Sequence, residues 1–288
     1  MAMQVLTIGN SFADNALFYL EKMTAAGQDG VVFGQCNLGG CSLEKHWNLV
    51  EQCRAIRDVR PYGYRVTGSE PRAATLEEAL RDRPWDYVTL QQVSDLSFRA
   101  ETYFPYIRNL ADLVRHLAPS AQCVIHETWA YRCDAQELTR YGIDQAEMFR
   151  RLKSTYADAA RTLGCRIIPS GTAFQKARAV FGYRPDPAAK LENLRYPALP
   201  DQTGSLNVGY LWATGNTGSG RAEIRLDGRH GNEKGRYLAG AVWYEMFTGR
   251  EAAAIPFRPV GVSAEEQRVL CRCAHEAVTE YGGPLTAR

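Results

Sequence analysis

The chain has 288 residues, of which 45% are hydrophobic, and its formal net charge is only +2. This length and apolar content are enough to bury a large core, whereas the small charge without long basic runs gives no electrostatic signature for nucleic acid. No apolar run is long enough to span a bilayer. We therefore expect neither nucleic acid nor a membrane as a partner.

The eight cysteines and the start of the chain both bear on the cellular compartment. The cysteines fall mostly inside strand-like or helix-like patterns rather than in a small, loop-rich disulfide framework. No basic and apolar leader precedes the first strand. Provided that the chain begins at its natural N-terminus, these features predict reduced thiols in a cytoplasmic protein.

Apolar segments with strand character alternate with amphipathic helical patterns along the chain. The predicted strands cover residues 4–9, 31–35, 86–92, 122–131 and 165–168, with a short edge strand at 62–67. The predicted helices cover residues 14–26, 42–57, 75–83, 101–117, 144–163, 170–181 and 263–281, and one more ends at 247. Such alternation predicts a three-layer α/β/α sandwich with a central five-stranded parallel sheet.

Residues 182–226 lose this periodicity, because Pro, Gly and Asn recur there without an apolar pattern. A loop of this length inside a compact domain is usually functional or disordered. We therefore expect residues 1–288 to form a single domain in which 182–226 is a pocket wall or a lid.

Ser11 is the first candidate functional residue. It follows the strand that ends at Gly9 and precedes the helix predicted for residues 14–26. A hydroxyl in this position lies at the carboxyl end of a parallel strand, where open α/β sheets bind ligands, and near a helix N-terminus. A turn or a helix cap is the structural alternative, since Ser and Asn favour both.

A second candidate segment lies far along the chain, where Asp227 and His230 are three residues apart near the start of a helix. One tight turn can bring the carboxylate to one imidazole nitrogen and leave the other nitrogen free to activate a hydroxyl. Together with Ser11, these residues form a candidate triad for acyl transfer.

The predicted topology gathers the loops that follow the first four strands at one edge of the sheet. Ser11, Gly40, Gln92 and Trp129 lie in those loops, so the fold itself brings them together. A metal site is a poorer interpretation. The run from Cys271 to His275 has no second cysteine pair at zinc-site spacing, and the chain contains no phosphate-binding glycine loop. We expect no metal and no cofactor.

The sequence resembles the SGNH (GDSL-like) hydrolase superfamily, and within it the DUF4886 family. The resemblance depends on four blocks, Ile-Gly-Asn-Ser-Phe at 8–12, Asn-Leu-Gly-Gly-Cys-Ser-Leu at 37–43, Trp-Asp to Gln-Gln at 85–92 and Asp-Gly-Arg-His at 227–230. It implies a flavodoxin-like fold and a serine esterase. In that enzyme Ser11 attacks an ester carbonyl, His230 transfers the proton and Asp227 holds the imidazole.

The resemblance also implies an oxyanion hole lined by the backbone N–H groups of Ser11 and Gly40. Most of the superfamily has a Gly-x-Asn-Asp third block, which this chain lacks. Gln92, or failing it Gln91, is therefore expected to supply the missing amide donor. Glutamines at a strand end also satisfy loop carbonyls, which is the structural alternative.

Four residues are expected to contact the substrate, namely Asn10, His46, Trp129 and Tyr131. The aromatic side chains and the polar loop favour a sugar ester over a long acyl chain. The predicted reaction is removal of a short acyl group, most simply acetyl, from an O-acylated carbohydrate, and the partner is a small-molecule or oligosaccharide ester.

Two alternatives stay open. The superfamily also includes lipases and thioesterases, and the fold alone does not choose between these activities. The missing Asn of the third block favours instead a catalytically silent protein that binds a glycan or another small ligand in the same cleft.

Overall fold

The computed structural model describes residues 2–186, 191–213 and 223–285. The strands in these residues are β1 (Met3–Gly9), β2 (Val31–Asn37), β3 (Tyr62–Val66), β4 (Arg72–Ala74), β5 (Tyr87–Leu90), β6 (Gln122–His126), β7 (Arg166–Ile168), β8 (Asn207–Ala213) and β9 (Glu223–Gly231). The α-helices are α1 (Ser11–Ala26), α2 (Leu43–Ala55), α3 (Leu76–Arg81), α4 (Tyr106–Leu117), α5 (Gln136–Tyr141), α6 (Gln145–Leu163), α7 (Ser170–Phe181), α8 (Glu233–Thr248) and α9 (Ala264–Glu280).

The central sheet has seven strands in the order β4-β3-β2-β1-β5-β6-β7. Strands β2, β1, β5, β6 and β7 pair in parallel, which confirms the predicted parallel sheet. Antiparallel β3 and β4 extend it at the β2 edge. The edge strand predicted at 62–67 corresponds to β3, whereas the three residues of β4 are too few to produce a periodic pattern.

Helices cover both faces of this sheet. Helices α1, α7, α8 and α9 pack together on one face, and α2, α3, α4 and α6 pack on the other. This arrangement confirms the predicted three-layer sandwich. None of the helices that the structure describes is long and apolar enough to cross a bilayer.

Strands β8 and β9 form a separate two-stranded antiparallel sheet, and β9 leads directly into α8. The prediction that residues 182–226 are one long loop is therefore wrong in part, because β8 and the first residues of β9 fall inside that range. Residues 187–190 and 214–222 of the same range lie outside the described residues. The proposed role of this segment as a pocket wall or lid stays a prediction.

Helix α8 lies in the interior, and every residue from Tyr237 to Phe247 is buried. A helix that is buried on all sides belongs to the core rather than to the surface. Its packing on α1 is close. A Cβ at Gly240 would lie only 3.3 Å from the carbonyl oxygen of Ala16 and from the side chain of Met23. This contact holds the helix after His230 against the helix that begins at Ser11.

Candidate active site

Three side chains from the two ends of the chain form a continuous hydrogen-bonded row. The Oγ of Ser11 lies 2.9 Å from Nε2 of His230, and Nδ1 of the same ring lies 2.8 Å from Oδ2 of Asp227. Because a carboxylate only accepts hydrogen bonds, Nδ1 carries the ring proton and Nε2 accepts the hydroxyl proton of Ser11. The structure thus brings together the three residues of the predicted triad.

Residues 227–230 form a bulged turn within the last part of β9, not the first turn of a helix. The register of β8 and β9 shifts here, so that three residues of β9 stand opposite one residue of β8. The Oδ1 of Asp227 accepts the backbone N–H groups of Arg229 and His230, both at 3.0 Å. Such irregular pairing re-aims side chains, and here it directs the His230 ring onto the carboxylate.

The Asp227 carboxylate is strongly held in its ionised form. Burial raises its pKa, but the hydrogen bonds from the side chain and backbone of His230 outweigh that effect and bring the pKa to about 2. A carboxylate in this state is charged throughout the neutral range and stabilises an imidazolium ion beside it.

The nucleophile position is fixed by the helix cap before it. Ser11 begins α1, and the Oδ1 of Asn10 accepts the N–H of Phe12 at 3.1 Å. The Nδ2 of Asn10 donates to the carbonyl oxygen of Cys41 at 3.1 Å, and the residue is 1% exposed. The prediction that Asn10 contacts the substrate is therefore wrong, because its polar atoms are buried and bound to the protein.

A buried polar row lies beneath this cap. The Nε2 of Gln91 donates to Oδ1 of Asn10 at 2.7 Å, and Nδ1 of His126 donates to Oε1 of Gln91 at 2.7 Å. The Ser170 hydroxyl in turn donates to Nε2 of His126 at 3.0 Å. Burial lowers the pKa of His126 to about 3, so the ring is neutral, with one donor and one acceptor nitrogen.

Neither glutamine after β5 can supply the missing oxyanion donor. The amide of Gln91 is 1% exposed and engaged in the buried row. Gln92 is fully buried, and its Nε2 donates to the carbonyl and hydroxyl oxygens of Thr102 at 3.1 and 3.2 Å. Its Oε1 accepts the N–H of Leu43 at 3.0 Å. The prediction for Gln92 or Gln91 is wrong, because both amides hold loops together.

The loop after β2 lies beside the nucleophile. The N–H of Leu38 donates to the carbonyl oxygen of Gly9 at 3.0 Å, and the bond from Asn10 to Cys41 holds the other end of the loop. Gly40, at the exposed tip, has a φ of +64°, which glycine adopts without strain. The predicted oxyanion donor Gly40 is thus on an open loop that is anchored to both residues preceding Ser11.

His46 does not line the cleft as predicted. It is fully buried, its Nε2 donates to the carbonyl oxygen of Gly9 at 3.0 Å, and its Nδ1 accepts the Tyr62 hydroxyl at 2.8 Å. Burial lowers the pKa of His46 to about 4, which keeps the ring neutral. The residue supports the end of β1 and cannot contact a substrate.

The two aromatic residues after β6 are also inside the protein, so their predicted contact with a sugar ring is wrong. Trp129 and Tyr131 are both fully buried. The Nε1 of Trp129 donates to the carbonyl oxygen of Arg229 at 2.8 Å, and its ring stacks on Phe174 at a centroid distance of 4.3 Å. Instead of binding substrate, Trp129 supports the turn that carries His230.

Asn15 is a positioning residue that the sequence analysis missed. Its Nδ2 donates to the carbonyl oxygen of Ser11 at 2.9 Å, and its Oδ1 accepts the N–H of Gly231 at 2.7 Å. One buried amide therefore joins the first turn of α1 to the residue after His230. The available signal was a polar residue on the buried face of an amphipathic helix, one turn after the candidate nucleophile.

Asp14 and Asn37 form a polar pair near His230 of the candidate triad. The Nδ2 of Asn37 donates to Oδ1 of Asp14 at 2.7 Å, and Thr7 orients the Asn37 amide by donating to its oxygen at 3.0 Å. Desolvation raises the pKa of Asp14, while the bond from Asn37 and the charges of Arg65 and His230 lower it, with a net rise. Neither residue had been singled out from the sequence.

Among the described residues, no group of three or more His, Cys, Asp or Glu side chains is arranged to hold a metal ion. In the run that resembled a ligand cluster, Cys271 and Cys273 are buried in α9. His275 pairs instead with Glu245, at 2.8 Å from Nδ1 to Oε1.

The fold defines a structural class, because the same architecture is found in a protein described as a putative SGNH hydrolase from Slackia heliotrinireducens. That structure is 21% identical to this chain, with a TM-score of 0.52, over 87% of this chain and 100% of the other. The overall fold is thus that of SGNH hydrolases, as the sequence resemblance predicts.

The model of the DUF4886 family, described as a domain of unknown function, matches residues 4–184. The chain therefore belongs to the DUF4886 family. It is similar to a DUF4886 family protein from Bacteroides uniformis ATCC 8492, with 28% identity and a TM-score of 0.75 over 97% of this chain and 95% of the other. No curated protein matches the chain.

Proposed function

We propose that the protein is a serine hydrolase of the SGNH type that cleaves carboxylic esters. The observation that carries the proposal is the unbroken row from Ser11 to His230 to Asp227, with bonds of 2.9 and 2.8 Å. A nucleophile, a base within bonding distance of it and a carboxylate that orients the base are the groups that acyl transfer requires. The SGNH fold supports the proposal at the level of class.

In the proposed reaction, Oγ of Ser11 attacks the ester carbonyl carbon while its proton passes to Nε2 of His230. The carbonyl electron pair moves to oxygen, and the tetrahedral intermediate collapses when His230 gives the proton to the leaving alcohol. Water then attacks the acyl-serine ester through the same base, which releases the acid and restores the Ser11 hydroxyl. Asp227 keeps the proton on Nδ1 and stabilises the imidazolium.

The developing oxyanion would be bound by the backbone N–H groups of Ser11 and Gly40. Ser11 is the first residue of α1, so its N–H points out of a helix N-terminus, where the helix dipole also favours negative charge. Removing one oxyanion donor typically costs about 10²–10³ in turnover. A hole with two backbone donors and no Gln amide is therefore expected to turn over slowly.

The substrate that we propose is a short acyl ester, most simply an acetyl ester, of a carbohydrate. Trp129 and Tyr131 no longer support this choice, because both are buried. The support now comes from Asp14, which is one helical turn after Ser11 and is oriented by Asn37. A carboxylate and an amide beside the nucleophile match sugar hydroxyl groups better than a long alkyl chain.

The test combines turnover with identification of the nucleophile. Wild-type protein and Ser11→Ala are assayed on p-nitrophenyl acetate, acetylated sugars and a fatty-acyl thioester, and an organophosphonate adduct is located by peptide mass mapping. We expect acetyl ester hydrolysis that falls by about 10³ or more in Ser11→Ala, with the adduct on Ser11. An adduct elsewhere, or equal rates in the two proteins, would contradict the proposed nucleophile.

A second candidate is a catalytically silent protein that binds a glycan or another small ligand in the same cleft. It is favoured by one observation, the engagement of both Gln91 and Gln92 in buried hydrogen bonds. In that case the wild-type protein binds acetylated sugars but shows no hydrolysis and no organophosphonate adduct. Hydrolysis of the thioester alone would favour the thioesterase alternative.

A further inference from the structure

A small cavity of about 70 Å³ lies between the end of α7, the segment after β6 and the start of β8. Its lining includes Arg132, Cys133, Arg178, Arg184, Ser205 and Asn207. The volume accommodates a few water molecules or one small anion. Three guanidinium groups line this small space, so the question is which of them have a counter-ion.

Arg178 has no counter-ion among the residues that the structure describes. Its Nη2 donates to the carbonyl oxygen of Ala130 at 2.7 Å and to Oδ1 of Asn207 at 3.0 Å. Its Nη1 is shielded from solvent and has no hydrogen-bond partner. Burial lowers the pKa of Arg178 to about 10, so the group still carries its charge at neutral pH.

Arg132, which lines the same cavity, shows how this fold otherwise treats a buried guanidinium. It is 2% exposed, and Asp134 binds it through both carboxylate oxygens, at 2.6 and 2.9 Å. The remaining nitrogen, Nη1, donates a hydrogen bond to Oε1 of Gln202 at 2.6 Å. A buried charge is costly unless it is paired and hydrogen bonded, and this requirement is met for Arg132 but not for Arg178.

We propose that the cavity binds a small oxyanion, a carboxylate or a phosphate, beside the uncompensated guanidinium of Arg178. Because Nη1 is covered in this structure, a small rotation of the side chain accompanies its hydrogen bond to the anion. Arg184, whose side chain lies at the exposed rim, adds a second positive charge. Partial desolvation and the neighbouring Asp134 carboxylate raise the pKa of the Cys133 thiol, although the residue as a whole is exposed, so the thiol is neutral and does not repel an anion. Charge-assisted bonds of this kind are the strong ones in protein interiors.

The cavity is connected to the candidate active site through one amide. The Oδ1 of Asn207 accepts from Arg178 at 3.0 Å, and its Nδ2 donates to the carbonyl oxygen of Arg229 at 3.1 Å. Arg229 immediately precedes His230. The anion has two sources that share this chemistry, a free small anion or an acidic group on a larger substrate. Binding of either does not depend on the proposed hydrolysis.

The test is a titration of the full chain with sodium phosphate, sodium acetate and glucuronate at constant ionic strength, followed by calorimetry and by the melting temperature. We expect saturable binding of at least one anion, weakened about tenfold or more in Arg178→Gln. Arg161→Gln, an exposed substitution outside the cavity, should bind as the wild type does. Glucuronate that competes with phosphate indicates a substrate group, and binding of phosphate or acetate alone indicates a free anion.

The proposal is overturned if the wild-type chain binds none of the three anions saturably, or if Arg178→Gln binds them with unchanged Kd. Should Arg178→Gln fail to fold by circular dichroism, the decision passes to Arg184→Gln, whose substitution lies at the exposed rim. Weaker binding by that variant supports the cavity, and an unchanged Kd overturns it.

Discussion

Ser11 and His230 are held in contrasting ways. Ser11 follows β1, the middle strand of the seven-stranded sheet, and the buried row of Asn10, Gln91 and His126 lies beneath it. His230 lies at the end of the β8–β9 hairpin, outside the central sheet. The part of β9 that carries Asp227 and His230 is held by single hydrogen bonds, such as those from Trp129 and Asn207 to the Arg229 carbonyl.

The contrast predicts whether a substitution on each side of the site alters stability, turnover or both. The nucleophile is positioned by groups that also hold the core together, so changes there should reduce stability and activity together. The base is positioned by a few bonds at the periphery, so changes there should reduce turnover more than stability. The following predictions test this difference, beginning with the largest expected effect.

The first prediction concerns the base side, where Asp227→Asn should lower kcat by about 10⁴-fold, because the amide no longer fixes the reactive tautomer of His230. The free energy of unfolding should fall by only about 1 kcal/mol, since the amide oxygen still accepts the backbone N–H groups. Glu137→Gln is the matched control, because Glu137 pairs with Arg229 in the same turn. A large loss of stability in Asp227→Asn would contradict the contrast.

On the nucleophile side, Gln91→Leu removes a partner of both Asn10 and His126. It leaves the buried Nδ1–H of His126 unpaired and leaves Oδ1 of Asn10 with the Phe12 N–H alone. The free energy of unfolding should fall by about 3 kcal/mol, measured by urea denaturation. Gln122→Leu, at an exposed position at the start of β6, is the control. If stability is unchanged in Gln91→Leu while kcat falls, the buried row does not support the core.

Acid should lower the free energy of unfolding through the two buried histidines on the nucleophile side. His46 and His126 have pKa values lowered by burial to about 4 and about 3, whereas the unfolded chain takes up these protons near pH 6.5. Between those values the unfolded state binds more protons, so the free energy of unfolding decreases as pH falls. Each histidine should cost about 2 kcal/mol between pH 7 and pH 5.

The measurement is chemical denaturation at pH 7 and pH 5. His46→Gln should lose less stability on acidification than the wild type, whereas His116→Gln, at an exposed position, should follow the wild type. Asp227, whose pKa is about 2, keeps its charge over this range. Equal acid sensitivity of wild type and His46→Gln would show that this histidine does not carry the effect.

The smallest expected effect is at the joint between the two sides. Asn15→Ala removes the bonds to the Ser11 carbonyl and the Gly231 N–H, and should lower kcat by about tenfold with little change in KM. Asn15→Asp retains the acceptor for Gly231 and should recover part of the loss. A variant in which KM rises and kcat is unchanged would assign Asn15 to substrate binding instead.

The sequence was informative where local pattern and topology act together. Apolar strands alternating with helices predicted the parallel sheet, and the strand end at Gly9 followed by a helix predicted the place of Ser11. Sequence spacing also predicted the contact between Asp227 and His230, because a turn of three residues closes without help from distant contacts. These features follow from backbone geometry, which sequence patterns report well.

The orientation of individual side chains was not predictable in the same way. Trp129 lies near the end of the predicted strand at 122–131 and His46 near the start of the predicted helix at 42–57, yet both point into the protein. Which way they point depends on β8 and β9, on Tyr62 and on other distant partners that leave no periodic signal nearby. The β8–β9 hairpin itself was missed because its strands lie outside the central sheet, β8 lacks regular alternation, and the alternation of β9 is confined to residues 223–227.

The anchoring of the β9 turn has a consequence for how the family can diversify. Bonds from Arg132 to the Gly228 carbonyl, from Trp129 to the Arg229 carbonyl and from the Gly231 N–H to Asn15 hold this part of β9. Each of them ends on a backbone atom of β9, so side chains on this strand can be substituted while the imidazole stays in place. New preferences for acyl or alcohol groups can therefore evolve by such substitutions, without rebuilding the chemistry beside Ser11.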